Sequence, residues 1–119
     1  MSYGLDDKTL LRVRRILATF PEIDRAVLYG SRAMGTNKPG SDIDMSLFGH
    51  GLDWRLCAEV AGMFEASAIP YMVDVSVFDL LKHDGLKDHI RRRGVVLFDR
   101  DQWDAEQASA RTASKDSHP

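Results

Sequence analysis

Asp42 and Asp44 stand two positions apart, and Asp74 follows thirty residues later between Val73 and Val75. On a strand, residues two apart point to one face, so the first pair would share one side of a sheet with backbones roughly 7 Å apart. Such a face suits Mg²⁺, which takes a few carboxylate oxygens and completes its shell with triphosphate oxygens and water. Two ions about 4 Å apart would clamp the attacking and leaving oxygens of a phosphoryl transfer. Asp74 is the candidate third carboxylate, placed to orient the second ion or to accept the nucleophile's proton. Unpaired in a buried strand it would lose its charge, whereas a nearby divalent cation keeps it ionised.

The acids are preceded by Gly30-Ser31-Arg32-Ala33-Met34-Gly35-Thr36-Asn37-Lys38-Pro39-Gly40-Ser41. Gly30 allows a tight turn and a close approach of phosphate to the backbone, and Ser31 offers a hydroxyl and an N–H at the start of a short helix. An EF-hand loop is excluded, because a loop starting at Asp42 would need glycine where Leu47 stands and glutamate where Asp53 stands. A Walker A loop is excluded too, since Thr36-Asn37 follows Gly35 where a Lys-Ser/Thr pair is required.

The flanking elements would position this segment. Leu10, Val13, Leu17 and Phe20, with Ile16, follow helical spacing behind the capping candidates Asp6 and Asp7, and Pro21 ends that helix. Ala26 to Tyr29 reads as a buried strand that Gly30 breaks, and Ile43 to Phe48 as a second strand. Asp53 caps a helix whose apolar face is Leu56, Cys57, Val60, Met63 and Phe64, and MVDVSVF after Pro70 is a third strand. A helix around 85–93 buries Leu86 and Ile90, stops at Gly94 and leads into a strand from Val95 to Phe98. The fold expected is mixed α/β, of the α+β kind, with a small mixed sheet of about four strands flanked by helices. Residues 1–99 form the domain, and 100–119, with Trp103 as the one large apolar residue, read as a flexible tail.

Among 119 residues, 16 basic and 18 acidic side chains leave a formal charge of -2, which gives no global attraction to nucleic acid. The single cysteine, Cys57, cannot form an internal disulfide and reads as a core residue. No signal peptide or membrane span is recognisable, and a reducing cytoplasm is the expected compartment. Arg91, Arg92 and Arg93 offset the macrodipole at a helix end, and with no aromatic platform beside them they read as structural. His50, His83 and His89 lack metal-ligand spacing and read as solvated, and Asp79 as the cap of a helical turn. Tyr3, Tyr29 and Tyr71 read as core or interface aromatics, Tyr29 adjoining the phosphate loop.

Gly30-Ser31, ten residues, then Asp42-x-Asp44 resembles the signature of the DNA polymerase β-like nucleotidyltransferases. With the Arg-Gly-Val-Val-Leu-Phe ending, residues 10–99 look like the minimal nucleotidyltransferase (MNT) proteins, the MntA-type antitoxins paired with helical HEPN toxins. The resemblance implies a polymerase β palm-like fold, Mg²⁺ held by Asp42, Asp44 and Asp74, and ATP held by Gly30 and Ser31 with Arg32 and Ser41. It also implies transfer of AMP to a toxin tyrosine within a hetero-oligomer. Met34 departs from the pattern, where many relatives carry a second arginine. Two other readings are neutralisation of the partner by occlusion and transfer to a small molecule, the latter needing more acceptor surface than this chain has to spare.

Overall fold

The computed structural model describes residues 3–116. Helix α1 (Asp7–Ala18) starts where the Asp6 carboxylate accepts from the Thr9 N–H at 2.7 Å, and it buries Leu10, Val13 and Leu17. Strand β1 (Ile23–Tyr29) runs into the short α2 (Ser31–Met34), and β2 (Ile43–Gly49) follows the loop. Asp53 caps α3 (Trp54–Ala66) by accepting from Leu56 N–H at 2.8 Å. Strand β3 (Val73–Val77), a 3-10 turn (Phe78–Leu80), α4 (Asp84–Arg93), β4 (Val95–Asp99) and α5 (Arg100–Asp116) complete the chain.

The strands form one sheet in the order β3-β2-β1-β4, with β2 and β3 parallel and the other pairs antiparallel. Alternation along each strand divides its side chains between two faces. One face carries Ala26, Leu28, Ile43, Met45, Leu47 and Leu97, and α1 and α3 cover it with Leu10, Val13, Leu17, Leu56, Val60 and Phe64. This is the main core. On the other face a smaller cluster joins Val27 and Phe78 to Ile90 of α4, with Tyr29, Phe48 and Leu86 around it. The four-strand mixed sheet with helices matches the expected architecture.

Two expectations are corrected. Asp79 lies within the 3-10 turn rather than capping it, and Val77 at its start makes no side-chain cap. The helix cap nearby is His83, whose Nδ1 accepts from the Leu86 N–H at 3.0 Å.

The segment expected to be a flexible tail from residue 100 is instead helical as far as Asp116. Counting apolar residues missed what holds it. Asp99 accepts from the Gln102 N–H at 3.1 Å to cap the helix, Gln102 donates to Glu106 one turn on, and Trp103 packs at 6.1 Å from Phe98. Arg100 donates to the carbonyls of Ala18, Phe20 and Ile23 at 2.8–3.2 Å. A cation there also complements the negative end of α1. Alanines, among them Ala105, Ala108 and Ala110, add helix propensity. Arg100→Ala strips the α1–β1 connection of its carbonyl partner and is expected to lower stability by about 2 kcal/mol, measured by denaturant unfolding.

Candidate catalytic face

Register brings the chemistry together. Tyr29 of β1 pairs with Asp44 of β2, and Asp44 pairs with Asp74 of β3, so the three side chains form one row across the face opposite the main core. Asp42 sits just before β2, exposed, and its charge reaches Asp44. Burial, then the charges of Asp74 and Asp42, push the Asp44 carboxyl above its ordinary value. Asp74 is exposed on the edge strand, so the penalty of burying a charge falls on Asp44, the central member, and not on Asp74 as the sequence suggested. None of the three makes an ion pair among the described residues.

A polar row missed by sequence reasoning lies one step along the same face. Ser46 and Ser76 are register partners, and Ser76 donates to Ser46 Oγ at 3.1 Å. Ser76 also lies near enough to the Tyr29 hydroxyl to favour its ionised form. Burial raises the Tyr29 pKa, and the charges of Asp74 and Asp44 raise it further, while Ser76 works against them. Tyr29 therefore stays a neutral hydroxyl beside the acids. The available signal was the alternation Asp44-x-Ser46 and Asp74-x-Ser76, two acid–serine steps that lie side by side once the strands pair.

The loop between β1 and β2 delivers Asp42 and Asp44. Gly30 adopts φ +79°, and a Cβ there would stand 2.8 Å from Asp44 Oδ2, so glycine meets both a backbone and a space requirement. The first N–H groups of α2, starting at Ser31, have no earlier carbonyl of that helix to bind. Arg32 is 2 % exposed. Its Nε and Nη2 donate to the Ser41 carbonyl at 3.0 and 2.7 Å, its Nη1 donates to the Tyr3 carbonyl at 3.0 Å, and its guanidinium lies 4.5 Å from the Tyr71 ring centre. Ser41 Oγ accepts from the Lys38 N–H at 2.9 Å. Arg32 and Ser41, read from sequence as nucleotide contacts, are thus joined to each other and close the loop from beneath. Cys57 is half-buried against Val75 O, and burial followed by the Asp74 charge raises its pKa, so it is held as an unreactive thiol.

The donor set fits Mg²⁺. Hard carboxylate oxygens of Asp44 and Asp74 lie in one row, burial and then mutual repulsion raise Asp44, and no cation among the described residues pairs with them. Among the described residues no three His, Cys, Asp or Glu side chains close a metal shell by themselves. That agrees with an ion that takes only one or two carboxylates and draws its remaining ligands from phosphate and water.

The family model described as Polymerase beta, Nucleotidyltransferase matches residues 12–103. The chain belongs to this nucleotidyltransferase family. The match runs past Asp99 into α5, so the first turn of that helix lies within the region shared with the family. A toxin–antitoxin crystal structure with AMP-PNP is 26% identical to this nucleotidyltransferase, with a TM-score of 0.62, over 96% of this chain and 89% of that one. A mutant of the MntA–HpeT toxin–antitoxin pair is also 26% identical, with a TM-score of 0.62, over 97% and 89%. The MNT antitoxin complex with a tri-AMPylated HEPN toxin from Shewanella oneidensis shares the fold at 23% identity and TM-score 0.60, over 93% and 86%. No curated protein matches the chain significantly. No described helix of the nucleotidyltransferase is long and apolar enough to cross a membrane.

Two outcomes follow from this geometry. Because its folded pKa is raised, Asp44 opposes folding at pH values above that pKa, and the penalty disappears once pH falls below the ordinary value of 3.8. Asp44→Asn should therefore raise the melting temperature of the ligand-free protein by about 2–5 °C at neutral pH, with no gain in acid. Arg32→Ala leaves the Ser41 and Tyr3 carbonyls without a partner and should lower stability by about 2–3 kcal/mol in denaturant titrations.

Proposed function

We propose that this nucleotidyltransferase transfers AMP from Mg²⁺-bound ATP to a hydroxyl, most simply a tyrosine, of a partner HEPN toxin, and so acts as its antitoxin. The observation that carries the reading is the row of uncompensated carboxylates, Asp44 and Asp74 with Asp42 beside them, set behind the Gly30–Ser31 turn. Support comes from two toxin–antitoxin structures of 26% identity covering nearly the whole chain, one of them containing AMP-PNP.

In this reading Asp42, Asp44 and Asp74 hold two Mg²⁺ ions, which when bound neutralise charge on the triphosphate and stabilise the attacking and departing oxygens. Gly30 and Ser31 present backbone N–H groups to the phosphates. Arg32 acts as a positioning residue, fixing the loop through Ser41 so that Asp42 enters β2 in the correct frame. Asp74, which is exposed at the sheet edge, takes the proton of the acceptor hydroxyl in this reading. Catalysis is then mainly positioning and charge neutralisation. The openness of the row favours a macromolecular acceptor: Asp42 and Asp74 are exposed on a sheet face, where a partner protein can supply the missing wall.

Incubation with labelled ATP, Mg²⁺ and the partner should label the partner, and Asp42→Ala or Asp44→Ala should reduce the rate at least about 100-fold, the equivalent of losing several kcal/mol of transition-state stabilisation. Undiminished labelling by both variants would refute the carboxylate assignment. Full suppression of toxicity by Asp44→Ala at equal expression would instead make occlusion the operating mechanism.

A further inference from the structure

The face that carries the carboxylate row ends in a cluster of cations on aromatic rings. Phe48 of β2 and Phe78 after β3 are stacked, with ring centres 4.7 Å apart and planes 25° apart. The Arg25 guanidinium lies 4.8 Å from the Phe48 ring centre. The Lys87 ammonium lies 4.8 Å, and the Arg91 guanidinium 5.1 Å, from that of Phe78. Strand β1 supplies one cation and α4 supplies the two others, one helical turn apart.

None of these three cations has an ion-pair partner among the described residues, although acids stand near them in sequence. Asp24 pairs with His50 at 3.1 Å, and Asp88 pairs with Arg92 at 3.1 Å. Arg25 and Arg91 are exposed and Lys87 is half-buried. The stack therefore holds three long side chains in place, which lowers the entropy lost when they bind, while their N–H groups remain free. Asp99, the register partner of Arg25 on β4, accepts from the Gln102 N–H rather than pairing with the guanidinium, so three cations with free N–H groups gather on one surface.

We propose that Arg25, Lys87 and Arg91, held on the Phe48–Phe78 stack, dock an acidic segment of the acceptor protein. The proposal rests on the reading above, in which the acceptor hydroxyl arrives at the Asp44–Asp74 row. Phe48 lies four residues from Asp44 on the same face, roughly 13 Å along the strand. An extended acceptor chain spans that distance in about four residues, so the acidic side chains stand about four positions from the modified hydroxyl. A single-stranded nucleic acid fits the cluster less well. The two rings stack on each other and carry the cations, and Phe78 is only 6% exposed, so no ring face is left for a base.

The test uses fluorescein-labelled peptides with one tyrosine and a glutamate triplet beginning four residues from it, with a glutamine triplet as control and oligouridylate as the competing ligand. Anisotropy titrations with the full chain should show binding of the glutamate peptide alone, weakened at about 0.3 M salt. Binding should fall about tenfold in the Arg25→Gln/Arg91→Gln double variant and remain unchanged in Arg55→Gln, which alters an exposed arginine at the start of α3. With labelled ATP and Mg²⁺, the double variant should raise KM for the glutamate peptide and leave kcat unchanged. Equal binding of glutamate and glutamine peptides, or full binding by the double variant with its melting temperature intact, would overturn the proposal. Tighter binding of oligouridylate, lost in the same double variant, would also overturn it by making the surface a nucleic-acid site. Charge-dependent binding without any transfer to tyrosine would uphold the docking surface and refute the acceptor assignment instead.

Discussion

The lateral register of three strands governs this molecule. Tyr29, Asp44 and Asp74 are far apart in sequence, yet hydrogen-bonded pairing of β1 with β2 and of β2 with β3 sets them in one row. A slip of one residue would turn Asp44 into the core and Met45 out to solvent. The register is therefore pinned by the main core, where Ile43, Met45 and Leu47 are fully buried between the same strand and the helices above it. Packing on one face specifies chemistry on the other.

That division of labour has an electrostatic consequence. The core face contains almost no charge, and the opposite face gathers acids, so that burial and then repulsion from Asp74 and Asp42 raise Asp44. The fold tolerates the repulsion because Asp42 and Asp74 remain exposed and the neutral Tyr29–Ser76–Ser46 chain fills the space beside them. The one buried cation among the described residues, Arg32, is directed to main-chain carbonyls and the Tyr71 ring. If it faced the acids it would quench the field that attracts a divalent ion.

Much of this was legible in the sequence because it is local. The glycine before Ser31 and the caps Asp6 and Asp53 are short-range features, and each stands where its spacing places it, whereas Asp42, expected on the strand with Asp44, lies just before β2. Asp74 was legible as a strand acid, but its exposure depends on β3 being an edge, which no local pattern states. The aim of the Arg32 side chain, the Ser46–Ser76 pair and the Phe48–Phe78 stack arise only after distant segments pair or pack. The same holds for α5, whose anchor Arg100 finds its carbonyl partners some eighty residues earlier in the chain. Composition counted the apolar side chains of that segment, whereas a charged side chain satisfying backbone oxygens fastens it.

The two faces of the sheet are covered unequally. Helices α1 and α3 cover one side, but on the other side α4 packs over only one end, through Ile90 and Leu86. Covering the rest would bury the acids without a counter-charge, at a desolvation penalty that grows steeply with each ion removed from water. The open end is thus a requirement of the carboxylate row. Whatever covers it has to bring positive charge for the acids and a surface shaped to the remaining sheet.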